Sequence, residues 1–296
     1  MTRHWYTRKE RGSPLLIRSI LWLAINLGRK PTRLLLYPIT AYFFLFTGKP
    51  RLASIDYLNR VLGRKPRWWN GLKHIYYFSC TILDRVFLLS DNFDSFDIHI
   101  HNDDALMKYV EAKQGCILLG SHLGSFDVLR AVGISRAKIP IKVLMYQEQN
   151  HLIASLCDAL NPEIAQSIIP LGKENTLLKV NEALQDGNMV AILADRTLES
   201  DQSSDCEFLG KKARFPTGPI VLSSILKVPI MLVYNLYSGK NRYDIYFELL
   251  AEQINLKNRH DEKEIHAWTQ RYADRLTFYT KKSPYNWFNF YDFWHH

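Results

Sequence analysis

The chain has 296 residues, of which 47% are hydrophobic, and its formal net charge is +9 at pH 7. This length and apolar fraction are enough for a large buried core, which excludes a disordered or low-complexity chain. Four cysteines, Cys80, Cys116, Cys157 and Cys206, lie far apart and form no CxxC pair. They are therefore expected to be reduced thiols of a cytosol-facing protein, not a disulfide framework.

The basic charge is concentrated at the N-terminal end of the chain. Residues 1–67 carry 14 Lys and Arg against Glu10 and Asp56, a net charge of +12. The remaining residues are therefore slightly acidic in total. Two apolar stretches, 14–28 and 34–48, lie within or beside this basic region. Each is shorter than the ~20 apolar residues that a membrane-spanning helix needs, and an arginine or a proline interrupts each of them.

Apolar helices bracketed by cations are typical of a protein that lies on an anionic membrane surface, with tryptophan and tyrosine at headgroup depth. Two alternatives are a pair of buried helices with a solvated basic rim, and a nucleic-acid patch. No nucleic-acid-binding motif accompanies the charge, so nucleic acid is not an expected partner. The expected partner of this region is a membrane surface.

Helical periodicity continues to about residue 90. Residues 50–63 and 70–90 each place apolar residues three and four apart, and the first of these helices is expected to stop at Gly63. The sequence therefore predicts a helical, basic, membrane-associating region over 1–90. In the helix over 50–63 the spacing places Leu52, Ile55, Leu58 and Leu62 on one face.

After residue 90 the pattern changes to short apolar runs of the β type. Predicted strands cover 116–120, 141–146, 189–195, 228–237 and 243–250, and predicted helices cover about 125–133, 150–160, 175–186, 217–226 and 261–281. This alternation predicts an α/β domain over 91–296 with a mostly parallel central sheet flanked by helices. Ligand sites of such sheets lie at the carboxyl ends of strands, where His122 and Asp195 both fall.

The spacing of His122 and Asp127 sets a condition on their geometry. Five positions of one continuous helix would turn the two side chains about 140° apart, so they can meet only if the histidine precedes the helix. Gly120 and Gly124 loosen the turn, and Ser125 is a suitable N-cap for a helix that begins there. Asp127 in the first turn would then hold one imidazole nitrogen and leave the other to act as a base.

Such a pair supplies the base and the acid of a nucleophilic triad, and the sequence leaves the third member, the nucleophile, undecided. Ser121 or Ser125 would make the protein a hydrolase, whereas a hydroxyl of the substrate would make it a transferase. The substrate hydroxyl is favoured, because Ser121 adjoins His122 in the chain and Ser125 is better placed as the helix cap. A turn histidine beside a helix-capping acid, without chemistry, is the plain alternative. No third metal ligand accompanies the pair, so neither a metal nor another cofactor is expected.

At these residues the chain resembles the lysophospholipid acyltransferase superfamily, whose first motif is His followed by Asp or Glu after four residues. Within it, the likeness is to the lipid A biosynthesis (lauroyl/myristoyl) branch. MVAILADRT resembles that branch's strand ending in Ala-Asp, and FLGKKARFPTGP, LKVPIMLVY and SPYNWFNFYDFW resemble three later segments, so the likeness covers about 110–294. Three features depart from the patterns. Asp127 stands where lipid A enzymes usually have Glu, and Arg196-Thr197 follows Ala-Asp where they have a longer acidic and glutamine sequence. Thr217 stands where the glycerol-phosphate branch has Glu.

The resemblance implies an acyltransferase that moves a fatty acyl group from an acyl carrier protein or coenzyme A thioester to a hydroxyl of a lipid or glycolipid. It implies that the enzyme works at the cytoplasmic face of a bacterial inner membrane. Its alternatives are a lipid esterase or thioesterase that uses water as acceptor, and a non-enzymatic peripheral membrane protein.

The same resemblance assigns expected roles to individual residues. His122 would be the general base and Asp127 its orienting acid, with Gly124, Ser125, Asp195 and Arg196 as substrate-binding residues. The developing oxyanion would be stabilised by Arg196 or, equally, by backbone N–H groups near Gly124. Lys211 or Arg214 would hold an anionic headgroup or the phosphopantetheine phosphate, unless they belong to a solvated basic loop.

Overall fold

A computed structural model of the protein describes residues 22–24, 26–90, 92–136, 138–146, 166–198, 201–258 and 261–294. The predicted helix over 150–160, Cys157 and most of the apolar stretch 14–28 lie outside the described residues. Cys80, Cys116 and Cys206 are buried free thiols, as the sequence predicted for them.

Three helices begin the described chain. They are α1 (Arg29–Phe46), α2 (Gly48–Leu62) and α3 (Trp68–Leu89). Helix α2 ends at Gly63, as predicted, because this residue adopts a φ of 62° that favours glycine. No helix among the described residues is long and apolar enough to cross a membrane.

The face of α2 that carries Leu52, Ile55, Leu58 and Leu62 is only partly buried. Leu52 and Ile55 are exposed, whereas α2 buries Ser54, Tyr57, Leu58 and Val61. The helix is rotated because Tyr57 packs against the ring of Trp287, at 5.0 Å between centroids, and donates a hydrogen bond to the carbonyl of Pro284. Periodicity alone did not indicate this aromatic partner, which lies more than 200 residues away.

The predicted mostly parallel α/β architecture is confirmed. A seven-stranded sheet runs in the order β1-β9-β8-β2-β5-β3-β4, and only the β8–β9 pair is antiparallel. Its strands are β1 (Asp97–His101), β2 (Cys116–Gly120), β3 (Ile141–Met145), β4 (Ile168–Pro170), β5 (Met189–Leu193), β8 (Ile230–Gly239) and β9 (Arg242–Ala251).

All five strands predicted from apolar runs are present in this sheet. The central strand β2 is buried along its whole length, as expected for a parallel strand covered on both faces. The remaining elements are α4 (Asp104–Glu111), α5 (Phe126–Ala131), α6 (Thr176–Gln185), α7 (Gly218–Leu226), α8 (Glu262–Lys282) and the antiparallel hairpin of β6 (Ser203–Phe208) and β7 (Lys211–Pro216). Strands β1 and β4 and this hairpin are not among the predicted elements, because they are short or rich in polar residues.

The N-terminal helices pack into the same cores as the sheet. One buried cluster joins Tyr57 and Leu58 of α2 to Trp287 and the hairpin, and the other joins Leu83 of α3 to Leu118 of β2. A buried ion pair adds a polar contact between α1 and α3, with Arg29 Nε 2.7 Å from Asp84 Oδ1. The helices of 29–89 are thus an integral part of the structure that carries the sheet.

Candidate functional site

His122 lies in the loop that joins β2 to α5, at the carboxyl end of the central strand. Backbone hydrogen bonds hold this loop on two sides. The N–H of Gly124 donates to the carbonyl of Asn286, and the N–H of Ser125 donates to the carbonyl of Asn235. The carbonyl of His122 accepts from the N–H of Phe288 at 2.9 Å. The position of the histidine is therefore determined by β8 and by the C-terminal segment together.

Gly124 is required by the close approach of this loop to β8. Its φ is 78°, and a Cβ atom added to it would lie 1.6 Å from the carbonyl oxygen of Asn235. Only glycine fits both the positive φ and this contact. Of the two glycines inferred to loosen the turn, Gly124 allows the loop to pack directly on the neighbouring strand, whereas Gly120 ends β2 without a positive φ.

Asp195 is the carboxylate that contacts His122. Strands β2 and β5 are parallel neighbours with Gly120 opposite Leu193, so the residues two positions beyond each strand end lie side by side. Asp195 Oδ1 is 2.7 Å from His122 Nδ1, and Asp195 Oδ2 accepts from the backbone N–H of His122 at 3.0 Å. The two contacts fix both the imidazole ring and the backbone of the histidine.

The electrostatics favour an ionised aspartate beside a neutral histidine. Burial opposes the ionisation of Asp195, but the neighbouring charge of His122, their hydrogen bonds and the charge of Arg196 lower the pKa of this carboxyl to about 2. Burial and the positive charge of Arg196 lower the pKa of His122 below its usual 6.5, against the opposing effect of Asp195. At neutral pH the imidazole is therefore uncharged and Asp195 remains an anion.

With Asp195 on Nδ1, the ring presents Nε2 as an acceptor. The His122 side chain is 30% exposed, while Asp195 is completely buried. Within the part of the chain that the structure describes, no hydrogen bond occupies Nε2. The pair has the geometry that a general base and its orienting acid need, and the ring is partly exposed.

The sequence predicted that Asp127 contacts His122, and the structure does not show this contact. Asp127 lies in the first turn of α5, as expected, but its Oδ2 is 2.6 Å from Arg85 Nε of α3 and its Oδ1 accepts from Arg130 at 3.2 Å. The predicted pairing fails because two cations hold the Asp127 carboxylate, while the register of the sheet places Asp195 on the histidine. Asp195, expected to bind substrate, therefore takes the position foreseen for Asp127.

The C-terminal segment completes the site, and Trp287 is its central residue. The buried indole donates from Nε1 to Asp195 Oδ2 at 2.8 Å, and its ring packs against those of Tyr57, Phe208 and Phe293. This residue was missing from the predicted site. The signal was present, because SPYNWFNFYDFW was one of the segments that carried the family resemblance.

His74 of α3 supports this segment from the other side. It is fully buried, with Nδ1 2.8 Å from Ser54 Oγ and Nε2 2.8 Å from the carbonyl of Trp287. The Nε2–H donates to that carbonyl and Nδ1 accepts from the serine, so the geometry suits the neutral ring. Sequence patterning did not single out this histidine, which lies on a helix face with apolar neighbours.

Acidification is expected to destabilise the protein through His74. Burial lowers the pKa of His74 to about 4, from 6.5. The unfolded chain therefore takes up a proton on this side chain as the pH falls below about 6.5, whereas the folded chain takes it up only near pH 4. The neutral, buried His74 thus contributes fully to stability above pH 6.5, and this contribution is lost as the pH falls to 4. Its size is about 3 kcal/mol in the free energy of unfolding.

Urea unfolding across this pH window measures the effect. His74→Gln, which cannot titrate, should flatten the difference in stability between pH 7 and pH 4, whereas His99→Gln at the exposed edge strand should retain it. An unchanged pH dependence in the His74 variant would contradict the assignment.

The other predicted substrate-binding residues fall in two places. Ser125 is the N-cap residue of α5, as predicted, although its side chain makes no capping hydrogen bond, and it is buried. Arg196 follows Asp195 directly, and its Nη2 donates to the carbonyl of Phe288 at 3.0 Å. Gly124 and Ser125 thus belong to the loop that carries His122, and Asp195 and its neighbour Arg196 lie beside that loop.

Lys211 and Arg214 lie elsewhere, on β7 of the hairpin. The inner face of the hairpin is buried through Cys206, Phe208, Ala213 and Phe215. Arg214 is exposed on the other face, with its Nε 3.8 Å from Asp205 across the hairpin. Contact of these two residues with an anionic group of a substrate stays a prediction. Among the described residues, no cluster of His, Cys, Asp and Glu side chains has the arrangement of a metal site.

Comparison with known proteins identifies the family. The sequence model of the bacterial lipid A biosynthesis acyltransferase family matches residues 88–296. This is more than half of the chain, so the protein belongs to that family, within the lysophospholipid acyltransferase superfamily, and is an acyltransferase. No curated protein sequence matches the chain.

Proposed function

We propose that this member of the lipid A biosynthesis acyltransferase family transfers a fatty acyl group from a thioester to a lipid hydroxyl, with His122 as the general base and Asp195 as its orienting acid. The observation that carries the proposal is the 2.7 Å contact of Asp195 Oδ1 with His122 Nδ1. It sets the tautomer in which Nε2 is the basic nitrogen, and no hydrogen bond within the described residues occupies Nε2.

The proposed reaction has two steps. The acceptor hydroxyl gives its proton to His122 Nε2 as its oxygen attacks the thioester carbonyl carbon. The tetrahedral intermediate then collapses, the C–S bond breaks, and the leaving thiolate takes the proton back from the imidazolium. Asp195 stabilises the imidazolium between these steps, because its carboxylate remains ionised beside the ring.

Arg196 is the better candidate for stabilising the oxyanion. The alternative donors foreseen near Gly124 are already engaged, because the N–H groups of Gly124 and Ser125 donate to the carbonyls of Asn286 and Asn235. Arg196 also donates one hydrogen bond, from Nη2 to the carbonyl of Phe288, but a guanidinium carries five N–H donors, and its positive charge lowers the pKa of the His122 imidazole. A guanidinium here would offset the negative charge of the tetrahedral intermediate.

The arrangement favours a substrate hydroxyl over a serine of the protein. The hydroxyl oxygen of Ser121 is buried, and Ser125 is 4% exposed at the start of α5. Neither side chain is open to a thioester, which supports transfer to an incoming acceptor rather than a serine hydrolase. Membership of an acyltransferase family also argues against the alternative of a non-enzymatic peripheral membrane protein.

The donor is proposed to be an acyl carrier protein or coenzyme A thioester, and the acceptor a lipid or glycolipid. The excess of cations in residues 1–67 suits both an acidic carrier protein and an anionic lipid surface. We place the reaction at the cytoplasmic face of the inner membrane, since the cysteines carry no disulfide pattern and the cations of the N-terminal region suit an anionic leaflet.

The product distinguishes acyl transfer from hydrolysis. Purified full-length protein is incubated with radiolabelled acyl carrier protein thioester or with radiolabelled acyl coenzyme A, each in the presence of bacterial lipid extract dispersed in detergent. A labelled ester lipid that is absent without protein is the expected product. Free fatty acid as the sole labelled product with both donors would instead establish a thioesterase.

Replacing Trp287 by Phe is expected to slow acyl transfer by about 10-fold and to lower the free energy of unfolding by about 2 kcal/mol. The substitution retains most of the aromatic packing but removes the N–H that donates to Asp195 Oδ2. A hydrogen bond to a buried charge is worth about 1.5–3 kcal/mol, and a loss of about 1.4 kcal/mol in the transition state is 10-fold in rate.

Trp294→Phe is the matched control for this change. Trp294 is also buried in the aromatic cluster, but its Nε1 donates to the carbonyl of Phe208. The Trp294→Phe variant should have a lower free energy of unfolding but an unchanged rate of acyl transfer per folded molecule. Equal rate losses in the two variants would show that general packing, not the contact with Asp195, is responsible.

A further inference from the structure

We infer that Asn286 is a positioning residue for acyl transfer: its side-chain amide anchors the C-terminal segment to β8, and the backbone of that segment holds the loop of His122. The inference rests on the proposed function for the role of His122. Asn286 lies in SPYNWFNFYDFW, one of the segments that carry the family resemblance, and it is fully buried. Its side chain bonds to β8 and to the end of α8, so it acts on His122 through the backbone.

Strand β8 continues past the end of its neighbour β2. Their paired register ends with Leu119 opposite Leu232, because β2 itself ends at Gly120. Strand β8 extends to Gly239, so its later residues need other partners for the backbone groups that face β2. Tyr237 is one of these residues, and it is buried. A buried backbone N–H or C=O without a partner is costly.

The amide of Asn286 takes the place of a neighbouring strand at Tyr237. Its Oδ1 accepts from the backbone N–H of Tyr237 at 2.7 Å, and its Nδ2 donates to the carbonyl of the same residue at 3.0 Å. A peptide group of an adjacent strand would offer the same donor and acceptor. Nδ2 also donates to Ser283 Oγ, at 2.6 Å, next to the end of α8. Both ends of the amide are thus engaged, and the side chain is fixed.

The backbone of the C-terminal segment carries this fixed position to the His122 loop. The N–H of Gly124 donates to the carbonyl of Asn286 itself, at 2.8 Å, and the carbonyl of His122 accepts from the N–H two residues further along the segment. Between these bonds, Leu123 forms an antiparallel bridge with Trp287. The segment therefore lies between β8, which it meets through the Asn286 side chain, and the loop, which it meets through its backbone.

Asn286 closes a set of three mutual contacts. The loop also bonds directly to β8, because the N–H of Ser125 donates to the carbonyl of Asn235 at 2.9 Å. Loop, segment and strand therefore each hold the other two. Without the Asn286 amide the segment can move relative to β8, and the loop, bonded to both, can follow only one of them. His122 would then shift from Asp195, and a shift of about 1 Å is enough to cost about 100-fold in rate.

Steady-state kinetics of Asn286→Ala test the inference. The variant is expected to lower kcat by about 100-fold per folded molecule and to leave the KM for the thioester unchanged, because a displaced base affects the transition state and not substrate binding. Ser283→Ala is a milder second variant, which removes only the acceptor that orients the amide. It should lower kcat by about 3-fold, as expected for one neutral hydrogen bond.

Asn188→Ala is the matched control. The Asn188 amide also bonds to the backbone, with Nδ2 donating to the carbonyl of Ala183 at 2.9 Å, but it lies just before β5, at the opposite end of the sheet from His122. This variant should transfer acyl groups at the wild-type rate per folded molecule. An equal loss of kcat in Asn188→Ala and Asn286→Ala would show that the effect is not specific to the anchored segment and would overturn the inference.

The pH profile separates positioning from a loss of folded protein. The charged groups that act on the His122 imidazole are Arg196, Asp195 and Arg85, and of these three only Asp195 raises its pKa. Displacement of the loop weakens the direct contact with Asp195, so the acidic limb of kcat/KM should move to lower pH in Asn286→Ala. A purely structural loss would reduce the amount of active protein and leave the limb in place.

Coupling to Gly124 gives a further kinetic test. Gly124→Ala and Asn286→Ala would displace the same loop, so the double variant should be little slower than the slower single variant. Rate losses that multiply would mean that the two residues act independently, which would overturn the inference.

Amide hydrogen exchange distinguishes failure of this inference from failure of the proposed function, because it needs no substrate. Mass spectrometry of the peptide that contains 118–125 should show faster exchange in Asn286→Ala than in wild type, and unchanged exchange in Asn188→Ala. If wild type forms no ester but exchange rises as expected, the proposed function fails while the anchoring of the loop stands. Wild-type exchange, kcat and pH profile in Asn286→Ala would overturn the inference. If that variant does not fold, the same three measurements on Ser283→Ala decide.

Discussion

Replacing Asp195 by Asn is expected to lower the rate of acyl transfer by about 10⁴-fold, nearly as much as replacing His122 by Ala. An amide keeps the size of the side chain but can donate to Nδ1, which would favour the tautomer with the proton on Nε2 and abolish the base. The amide also lacks the negative charge that stabilises the imidazolium. Because the two residues act as a unit, the double variant should be little slower than either single variant.

Asp127→Asn is the contrasting variant. Its carboxylate is held by Arg85 and Arg130 in a largely buried ion cluster, so loss of its charge leaves two cations without compensation. The free energy of unfolding should fall by about 3 kcal/mol, while the rate per folded molecule should fall much less than in Asp195→Asn. If Asp127→Asn were instead the slower of the two variants, Asp127 and not Asp195 would be the orienting acid.

The pH dependence of kcat/KM adds a second measurement. Asp195 raises the pKa of His122 against the effects of burial and of Arg196, so removing its charge should move the acidic limb of the profile to lower pH. Arg196→Gln should move the same limb to higher pH, because the positive charge beside the imidazole is gone. Movement in the same direction for both variants would contradict His122 as the titrating base.

Replacing Gly124 by Ala is expected to lower the free energy of unfolding by about 3 kcal/mol and the rate of acyl transfer by about 100-fold. The added Cβ would overlap the carbonyl of Asn235, and an alanine at φ 78° is strained. The loop can relieve the overlap only by moving away from β8. A displacement of His122 by about 1 Å is enough to cost 100-fold in rate.

Gly210→Ala is the matched control, because Gly210 has a φ of 79° but no atom within 4 Å of an added Cβ. It carries the same backbone strain at the turn of the hairpin, without the overlap. Thermal unfolding and steady-state rates of the two variants separate strain from contact. Similar losses in both would mean that the approach of the loop to β8 does not matter for the site.

Much of the candidate site could be predicted because strand ends are local features. The apolar runs 116–120 and 189–195 were recognised as strands, and a parallel sheet brings its ligands to the carboxyl ends of strands. His122 and Asp195 were both placed there from the sequence. The apolar runs do not give the order of the strands in the sheet, so they did not predict that β2 and β5 are neighbours.

The helix faces illustrate a second limit. Spacing placed Leu52 and Ile55 on one face with Leu58, but periodicity records which residues share a face and not which face meets the core. The aromatic C-terminal segment packs on Tyr57 and leaves the leucine and isoleucine exposed. A partner distant in the chain thus decided the rotation of α2.

By itself, the sequence determined the α/β class, the position of His122 after a buried strand, the glycine-containing turn that follows it and the family resemblance, since each depends on residues close together in the chain. The tertiary structure alone decided which carboxylate meets the imidazole. The choice of Asp195 over Asp127 depends on the register of two parallel strands, on two arginines that hold Asp127, and on a tryptophan from the C-terminal segment. These contacts join residues far apart in sequence, which local spacing does not encode.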